Sequence, residues 1–257
     1  VVGLRTFSKV YGLAGLRVIV NDDGIKAEGI KMLAEAARDF GKIYVVAPKT
    51  QQSAVGQGIT VHEPLKIDKE PELVDGAESW SISGKPADCV KVAIDYLRLP
   101  IDVVFSGIND GPNLGTDILY SGTVAAATEA AVVNIPSAAF STDFSHFSIA
   151  KKYIKETIQF ILDKKLLKPG IVINVNFPLR EFDESKGYKY TCQGHRLFSA
   201  KYRHDNGMYW QEGDWVPTEN HDLTDVHTVS NGYISITPLG FDRTHDEYFE
   251  ELKEKQE

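Results

Sequence analysis

Short runs of β-branched and other apolar residues alternate with helical patterns through the first two-thirds of the chain. Strands are predicted at residues 16–20, 42–47, 101–105, 135–140 and 171–175, and helices at 25–40, 86–97, 121–133 and 148–165. Strands separated by helices form a mostly parallel sheet with helices packed on both faces. The sequence therefore predicts an α/β fold built on a doubly wound sheet.

The composition is typical of soluble globular proteins. Of 257 residues, 42% are hydrophobic and 25% are charged, which excludes a disordered or collagen-like chain. The net charge is −8, whereas a protein that grips a nucleic-acid backbone needs a surplus of Lys and Arg. The sequence contains no run of about 18 apolar residues that could cross a bilayer. We therefore expect neither a nucleic-acid nor a membrane partner.

The two cysteines, Cys89 and Cys192, are far apart and form no CxxC pair. We expect two free thiols, as in a reducing compartment, instead of one disulfide. The start of the sequence also lacks the order of charged, apolar and small residues that secretion signals have. These features together predict a cytoplasmic protein.

The pattern changes after about residue 180. Residues 181–232 are rich in Gly and polar residues, a strand is predicted at 232–238, and a charged helix is predicted at 246–257. We predict a core at residues 17–180 and a C-terminal extension at 181–257, made of hairpins plus a terminal helix. An extension of this kind is expected to pack against a second subunit. We interpret Trp210 and Trp215 as interface or core anchors, and the alternative is that one of them stacks on a base.

Histidines are also concentrated in this extension, at positions 195, 204, 221 and 227. None of them has the HxxxH or HExxH spacing of a zinc site on a helix. We therefore interpret them as part of a polar arm, not as metal ligands.

The first predicted strand ends at a pair of adjacent carboxylates, in the sequence Asn21-Asp22-Asp23-Gly24. Adjacent carboxylates repel each other unless a cation or a hydrogen-bond donor lies between them. Gly24 permits a sharp turn that lets both carboxylates reach one point. Asp22 and Asp23 are therefore candidate metal ligands. The alternatives are that Asp23 caps the following helix, or that both are solvated loop acids.

Two more loops that follow predicted strands are rich in oxygen donors. Ser53 lies in the loop after the second strand, and Asn109 and Asn113 lie in the glycine-rich loop after the third. Hydroxyl and amide oxygens are ligands that Mg²⁺, Mn²⁺ and Ca²⁺ accept. In a doubly wound sheet such loops meet at the ligand site. Together they favour metal-assisted phosphoryl transfer, in which a cation offsets phosphate charge and activates a water.

Ser121, Gly122 and Thr123 open the predicted helix at 121–133. The free N–H groups and the dipole at a helix N-terminus favour an anion such as phosphate. These three residues are therefore candidates for phosphate binding. The alternative is that Ser121 serves only as a helix cap.

Seven motifs in order along the chain carry a family resemblance. They are residues 21–25, 45–53, 83–89, 106–109, 111–115, 120–123 and 232–239. On these residues the chain resembles the SurE survival-protein family from about residue 16 to 250. The resemblance implies a Rossmann-like core and a divalent-metal-dependent 5′-nucleotidase that hydrolyses nucleoside monophosphates. It also implies cytoplasmic homodimers or homotetramers formed by exchange of the C-terminal arm, and some members also hydrolyse polyphosphate.

The resemblance implies a role for each matching residue. Asp22, Asp23, Ser53 and Asn109 would hold one divalent cation, Mg²⁺ or Mn²⁺, with Ca²⁺ a possible substitute in crystals. The phosphate would be surrounded by Asn113, Ser121, Gly122 and Thr123. Our hypothesis is that a metal-bound water attacks phosphorus and that Asp22 or Asp23 accepts its proton. A covalent aspartyl-phosphate fits less well, because the DxD spacing of aspartyl phosphatases is absent.

The start of the chain departs from this family. Residues 5–17 instead resemble the segment of histidinol-phosphate-type aminotransferases whose lysine, here Lys9, binds pyridoxal phosphate. The partner residues that this cofactor requires are missing, so we expect no pyridoxal phosphate. We interpret residues 1–16 as a foreign or fusion-like segment.

The junction lies inside the first strand, which is about one residue shorter than is usual for the family. A one-residue slip in a strand moves every side chain to the opposite face, so the junction could displace the carboxylates. The alternative function is therefore a nucleotide-binding protein of the same fold with impaired turnover. We expect the site to survive, because the start of a strand can absorb such a change.

Overall fold

The computed structural model describes residues 15–255. The strands of this part of the chain are β1 (Gly15–Val20), β2 (Gly41–Pro48), β3 (Ile67–Glu70), β4 (Glu78–Ile82), β5 (Val103–Asp110), β6 (Ser137–Thr142), β7 (Val172–Asn176), β8 (Tyr188–Tyr190), β9 (Leu197–Asp205), β10 (Met208–Val216) and β11 (Ile234–Leu239). The helices are α1 (Glu28–Ala37), α2 (Pro86–Lys91), α3 (Gly122–Val132), α4 (Phe147–Asp163), α5 (Asp225–Ser230) and α6 (Asp246–Glu254).

A nine-stranded sheet in the order β3-β4-β2-β1-β5-β6-β7-β11-β8 organises the fold. Most neighbours run parallel, and the antiparallel pairs are β3 with β4 and β11 with β7. The strand order reverses between β1 and β5, which is where doubly wound sheets bind their ligands. The predicted α/β fold with a doubly wound, mostly parallel sheet is confirmed.

Both faces of the sheet are covered by helices. Apolar residues of α1 and α4, such as Leu33 and Ile158, pack with Ile19 of β1 on one face. On the other face, Val90 of α2 and Ala126 of α3 pack with the remaining apolar residues of β1. The central strands are therefore buried on both sides, which explains their nearly continuous apolar sequences.

The observed elements differ from the predicted ones mainly at the edges. The predicted helix at 25–40 begins three residues later, at Glu28, and ends in a 3₁₀ turn over Arg38–Phe40. The predicted helix at 86–97 is α-helical only to Lys91 and continues as a π-helical turn over Val92–Tyr96. The edge strand β3 and its neighbour β4 were missed because β3 is polar and both are short.

The C-terminal extension contains the exposed hairpin β9–β10 and the terminal helix α6. Every residue of β9 is exposed, and Trp210 and Trp215 of β10 are 52% and 48% exposed. The two tryptophans are therefore not core anchors within this chain. None of the helices in residues 15–255 is long and apolar enough to cross a membrane. Residues 1–14, with Lys9, lie outside the described residues.

Arg17 is a buried charge in the first strand. It is 1% exposed, and burial lowers the pKa of its guanidinium to about 10, with Asp102 opposing the shift. One guanidinium N–H donates to the carbonyl of Gly15 at 3.0 Å. The Nε atom has no hydrogen-bond partner among residues 15–255. Arg17 and Ile19 lie on the same buried face of β1. The strand register that buries Ile19 therefore also buries the charge of Arg17.

Replacing Arg17 by leucine should stabilise the protein. Loss of a desolvated charge from an apolar face should raise the free energy of unfolding by about 1–3 kcal/mol, measured by urea denaturation. The matched control is Arg38→Leu, since Arg38 is exposed and surface substitutions change stability by about 0.5 kcal/mol or less. Equal or lower stability of Arg17→Leu would show that the guanidinium is well satisfied.

Candidate active site

Asp22 lies at the end of β1, at the point where the strand order reverses. Its carboxylate is only 4% exposed, and its Oδ1 accepts a short hydrogen bond from the Thr123 hydroxyl. Burial raises the pKa of Asp22 to about 6, while the bond from Thr123 acts in the opposite direction. No Lys or Arg of residues 15–255 forms an ion pair with this carboxylate, which is therefore suited to receive a cation.

Asp23 points toward the two loops beside β1. Its Oδ2 accepts a hydrogen bond from the backbone N–H of Asp110 at 3.2 Å, and its Oδ1 accepts one from Gln51 Nε2 at 3.3 Å. The same Gln51 nitrogen donates to Ser53 Oγ at 3.0 Å. The structure thus brings Asp23 and Ser53 to one point, with the partial positive charge of an amide between their oxygens.

Asp23 is not a helix cap. The cap of α1 is Ala27, which makes no side-chain hydrogen bond to the helix, so the capping alternative is wrong. Burial raises the pKa of Asp23, and the charge of Asp110 adds to this effect. Burial therefore disfavours ionisation of both adjacent acids, and carboxylates with a raised pKa are frequent at functional sites.

Asn109, at the end of β5, also faces Asp22. Its Oδ1 lies 3.4 Å from the Thr123 hydroxyl that contacts Asp22, and its Nδ2 donates to the carbonyl of Gly111 at 2.7 Å. The amide oxygen thereby lies beside the hydroxyl that donates to Asp22. Asn109 and Asp22 thus contribute oxygens to the same region, as predicted from their positions after neighbouring strands.

The start of α3 comes close to Asp22. Ser121 caps the helix, because its Oγ accepts a hydrogen bond from the Val124 N–H at 3.0 Å. At Gly122 a Cβ would lie 2.8 Å from the Cβ of Asp22, so only glycine allows this approach. Ser121 therefore caps α3, and the part it could play in phosphate binding stays a prediction.

Asn113 is held by three side chains that sequence reasoning missed. Its N–H donates to Asn176 Oδ1 at 2.8 Å, and its carbonyl accepts from Asn174 Nδ2 at 2.9 Å and from Asn176 Nδ2 at 3.1 Å. Its own Nδ2 donates to Ser141 Oγ at 2.8 Å. We call Asn174 and Asn176 the asparagine clamp; their sequence signal is two buried amides inside an otherwise apolar strand, β7.

Another residue that the sequence analysis missed is Asp88, which anchors the loop that carries Ser53. Asp88 accepts hydrogen bonds from the Thr60 N–H at 3.0 Å and from the Thr60 hydroxyl at 2.6 Å. It also accepts one from the Lys85 N–H at 2.9 Å. The Asp88 carboxylate thus fastens a surface loop to the start of α2. This part of α2 lies close to Gly122.

The donor set fits a hard divalent cation. Asp22 and Asp23 form no ion pair with Lys or Arg in residues 15–255, and the buried Oδ1 of the neighbouring Asn21 has no hydrogen-bond partner there. No three His, Cys, Asp or Glu side chains of this part of the chain form a metal-binding group. Two carboxylates supplemented by amide and hydroxyl oxygens match the preference of Mg²⁺ or Mn²⁺.

The remaining candidates for other chemistry lie elsewhere. Cys89 is buried and Cys192 is exposed, and both are free thiols. His221 lies 3.7 Å from the Cys192 sulfur and His227 lies 3.6 Å from Asp222, both in the extension. These pairs are separate from the edge of the sheet that carries Asp22.

The fold and the site define an α/β protein with a cluster of oxygen donors at the switch point of its sheet. The family model "Survival protein SurE" matches residues 17–200, and the chain belongs to this family. A relative from Alkaliphilus metalliredigens, named 5'-nucleotidase SurE, is 44% identical over 93% of this chain and 98% of its own.

Another relative and a solved structure agree with this assignment. The protein named 5'-nucleotidase SurE from a Thermoanaerobacter species is 41% identical over 88% of this chain and 92% of its own. The crystal structure of the Aquifex aeolicus SurE protein has a TM-score of 0.78 and 34% identity, and covers 94% of this chain and 100% of that one. The resemblance found in the motifs is thus confirmed along nearly the whole chain.

Removal of the clamp at Asn176 should weaken the protein and its site. In Asn176→Ala the buried N–H of Asn113 loses its acceptor, which should cost about 1–3 kcal/mol in the free energy of unfolding. Thermal or urea unfolding measures this loss. The control is Asn231→Ala, whose amide makes an exposed bond to the carbonyl of His227 at 2.8 Å. Equal stabilities of the two variants would contradict the clamp.

Proposed function

We propose that this protein is a divalent-metal-dependent phosphomonoesterase, a 5′-nucleotidase, that hydrolyses nucleoside 5′-monophosphates to nucleoside and phosphate. The observation that carries the proposal is the convergence of the Asp22 and Asp23 carboxylates with Asn109 and the start of α3 at the switch point. The names of the two relatives above, each a 5'-nucleotidase, support the same activity. Polyphosphate is proposed as a second substrate of the same site.

Each residue has a role in this proposal. Asp22, Asp23, Ser53 and Asn109 would hold the cation, which when bound offsets phosphate charge and lowers the pKa of water. Asn113, Ser121, Gly122 and Thr123 would surround the phosphate through amide, hydroxyl and backbone N–H donors.

The two carboxylates have different surroundings, and this difference suggests how they divide the work. Asp22 is buried and fixed by Thr123, so it is suited to hold charge at one position. Asp23 is partly exposed and its bonds to Gln51 and Asp110 are longer than 3 Å. We assign proton acceptance from the attacking water to Asp23, because it has access to solvent.

The activity should depend on Asp23 and on a divalent cation. Phosphate release from AMP or GMP with Mg²⁺ or Mn²⁺ should stop when a chelator is added. In Asp23→Asn it should fall at least about 100-fold, since a metal ion contributes several kcal/mol to such a reaction. The measurements are phosphate release and calorimetric affinity for the cation alone.

The control is Asp75→Asn, a loss of one carboxylate on an exposed loop, which should leave both measurements unchanged. Full turnover and full cation affinity of Asp23→Asn would overturn the assignment. Binding of AMP without turnover would instead support the alternative, a nucleotide-binding protein. Deletion of residues 1–14, which precede β1, then shows whether that segment impairs turnover; we expect unchanged activity.

We further propose a homodimer or homotetramer formed by exchange of the C-terminal arm. No residue of α6 is buried, and its Phe249 and Leu252 are 49% and 40% exposed. A groove of about 540 Å³ between α3 and residues 239–243 is lined in part by Val132 and Phe241. Exposed apolar residues on one helix face and a groove lined by both apolar and polar residues of the same chain suit exchange between two copies. Two free thiols, one of them exposed, support a reducing compartment such as the cytoplasm.

Charges on the apolar face of α6 should dissociate the oligomer. The double variant Phe249→Asp/Leu252→Asp should shift the mass found by light scattering to that of one chain, because two carboxylates in place of apolar side chains are costly to bury at an interface. The control, Glu247→Gln/Glu250→Gln, changes charge on the same helix without touching this face and should keep the mass of the wild type. If the apolar-face variant keeps its mass as well, arm exchange through α6 is wrong.

A further inference from the structure

An exposed aromatic ring, Phe144, lies at the same edge of the sheet as the proposed site. Phe144 follows β6, and β6 is the second strand from β1 in the order β1-β5-β6. Neighbouring strands are about 4.8 Å apart, so the end of β6 is roughly 10 Å from the end of β1. The ring is 56% exposed, and the proposed reaction does not use it.

The ring rests on the backbone of the loop that carries Asn113. A Cβ at Gly111 would lie 2.6 Å from the ring carbon Cε1 of Phe144. Because Gly111 has no side chain, the ring can pack directly against this loop. Gly111 is also the residue whose carbonyl orients the Asn109 amide, at 2.7 Å. One side of the ring is therefore supported by the site loop, and more than half of its surface stays open.

The segment that bears Phe144 is fastened on both sides. On one side, Asp143 forms an ion pair with Arg180 at 2.9 Å. On the other side, the Ser145 N–H donates to Asp110 Oδ1 at 2.6 Å. The N–H of Asp110 in turn donates to Asp23 Oδ2 at 3.2 Å. Two successive hydrogen bonds thus connect the segment that bears the ring to Asp23, a candidate cation ligand. The position of the ring is therefore coupled to the position of the site.

We propose that Phe144 is the platform on which the base of a nucleoside monophosphate stacks. The proposal rests on the nucleotidase function above and adds a specificity residue to it. In a nucleotide the ribose separates phosphorus from the base, so a base platform has to lie beside the phosphate site and not in it. A supported, half-open aromatic ring suits any base, because every base presents a π face.

Tyr120 is the competing aromatic residue. It precedes Ser121, is 65% exposed, and its carbonyl accepts a hydrogen bond from the Gly56 N–H at 2.9 Å. The described contacts of Tyr120 are made by its backbone, whereas Phe144 has its ring against the site loop. The test therefore includes both residues.

The experiment compares AMP with ribose 5-phosphate, which has the same phosphate and sugar but no base. Steady-state hydrolysis is measured for Phe144→Ala, Phe144→Leu and Phe144→Tyr in the full chain. We expect the KM for AMP to rise about 5- to 150-fold in the Ala and Leu variants, since base–aromatic stacking has this range of strengths. The KM for ribose 5-phosphate should not change, and Phe144→Tyr should behave as the wild type.

The control for loss of an exposed aromatic ring is Tyr96→Ala, since Tyr96 is 69% exposed and follows α2 at the opposite end of the sheet. Equal KM changes for both substrates, no change with AMP, or a selective AMP effect in Tyr120→Ala instead of Phe144→Ala would each overturn the platform. If the wild type hydrolyses neither compound, the nucleotidase proposal fails. Calorimetric affinities of the same variants for AMP then decide the platform separately.

Discussion

The contact between the Thr123 hydroxyl and the Asp22 carboxylate holds the site together. It joins the end of β1 to the first turn of α3, which are 101 positions apart in the chain. Gly122 allows the approach, because any side chain there would collide with Asp22. Asn109 also lies beside the same hydroxyl, at 3.4 Å. The strand order, the start of α3 and Gly122 therefore together determine the surroundings of the Asp22 carboxylate.

This arrangement has a cost in stability. Burial raises the pKa of Asp22 to about 6, so its ionised form, which a metal ligand needs, is disfavoured in the protein without a cation. Ionisable groups whose pKa is shifted away from its ordinary value are common at functional sites and rare in ordinary loops. The exposed acids behave differently: a hydrogen bond from Lys155 lowers the pKa of Asp39. The contrast separates the buried or half-buried acids whose pKa is raised, which include Asp117 and Asp225 as well as Asp22, from the exposed ones.

The sequence allowed the prediction of the sheet and of the residues at its edge, because parallel strands bury both faces and end in polar loops. It did not predict the partners of those residues. The asparagine clamp consists of Asn174 and Asn176 of β7, whose contacts with Asn113 span more than 60 positions. Alternation cannot reveal such a contact, because an amide inside a buried strand has no periodic signal. The edge strand β3 was missed because it is short and polar, and only its pairing with β4 defines it as a strand.

An acidic protein can bind an anion if the positive charge is supplied from outside. Had a Lys or Arg paired with Asp22 or Asp23, the carboxylates would be permanently neutralised and a cation would be excluded. Within residues 15–255 the ion pairs of arginine are instead made with Asp143, Asp117, Asp205 and Glu212. In the proposed enzyme, the neutral donors at Asn113 and at the start of α3 would then bind the phosphate without competing for the metal. In the proposed enzyme, charge complementarity therefore arises only when the cation binds, and substrate binding depends on it.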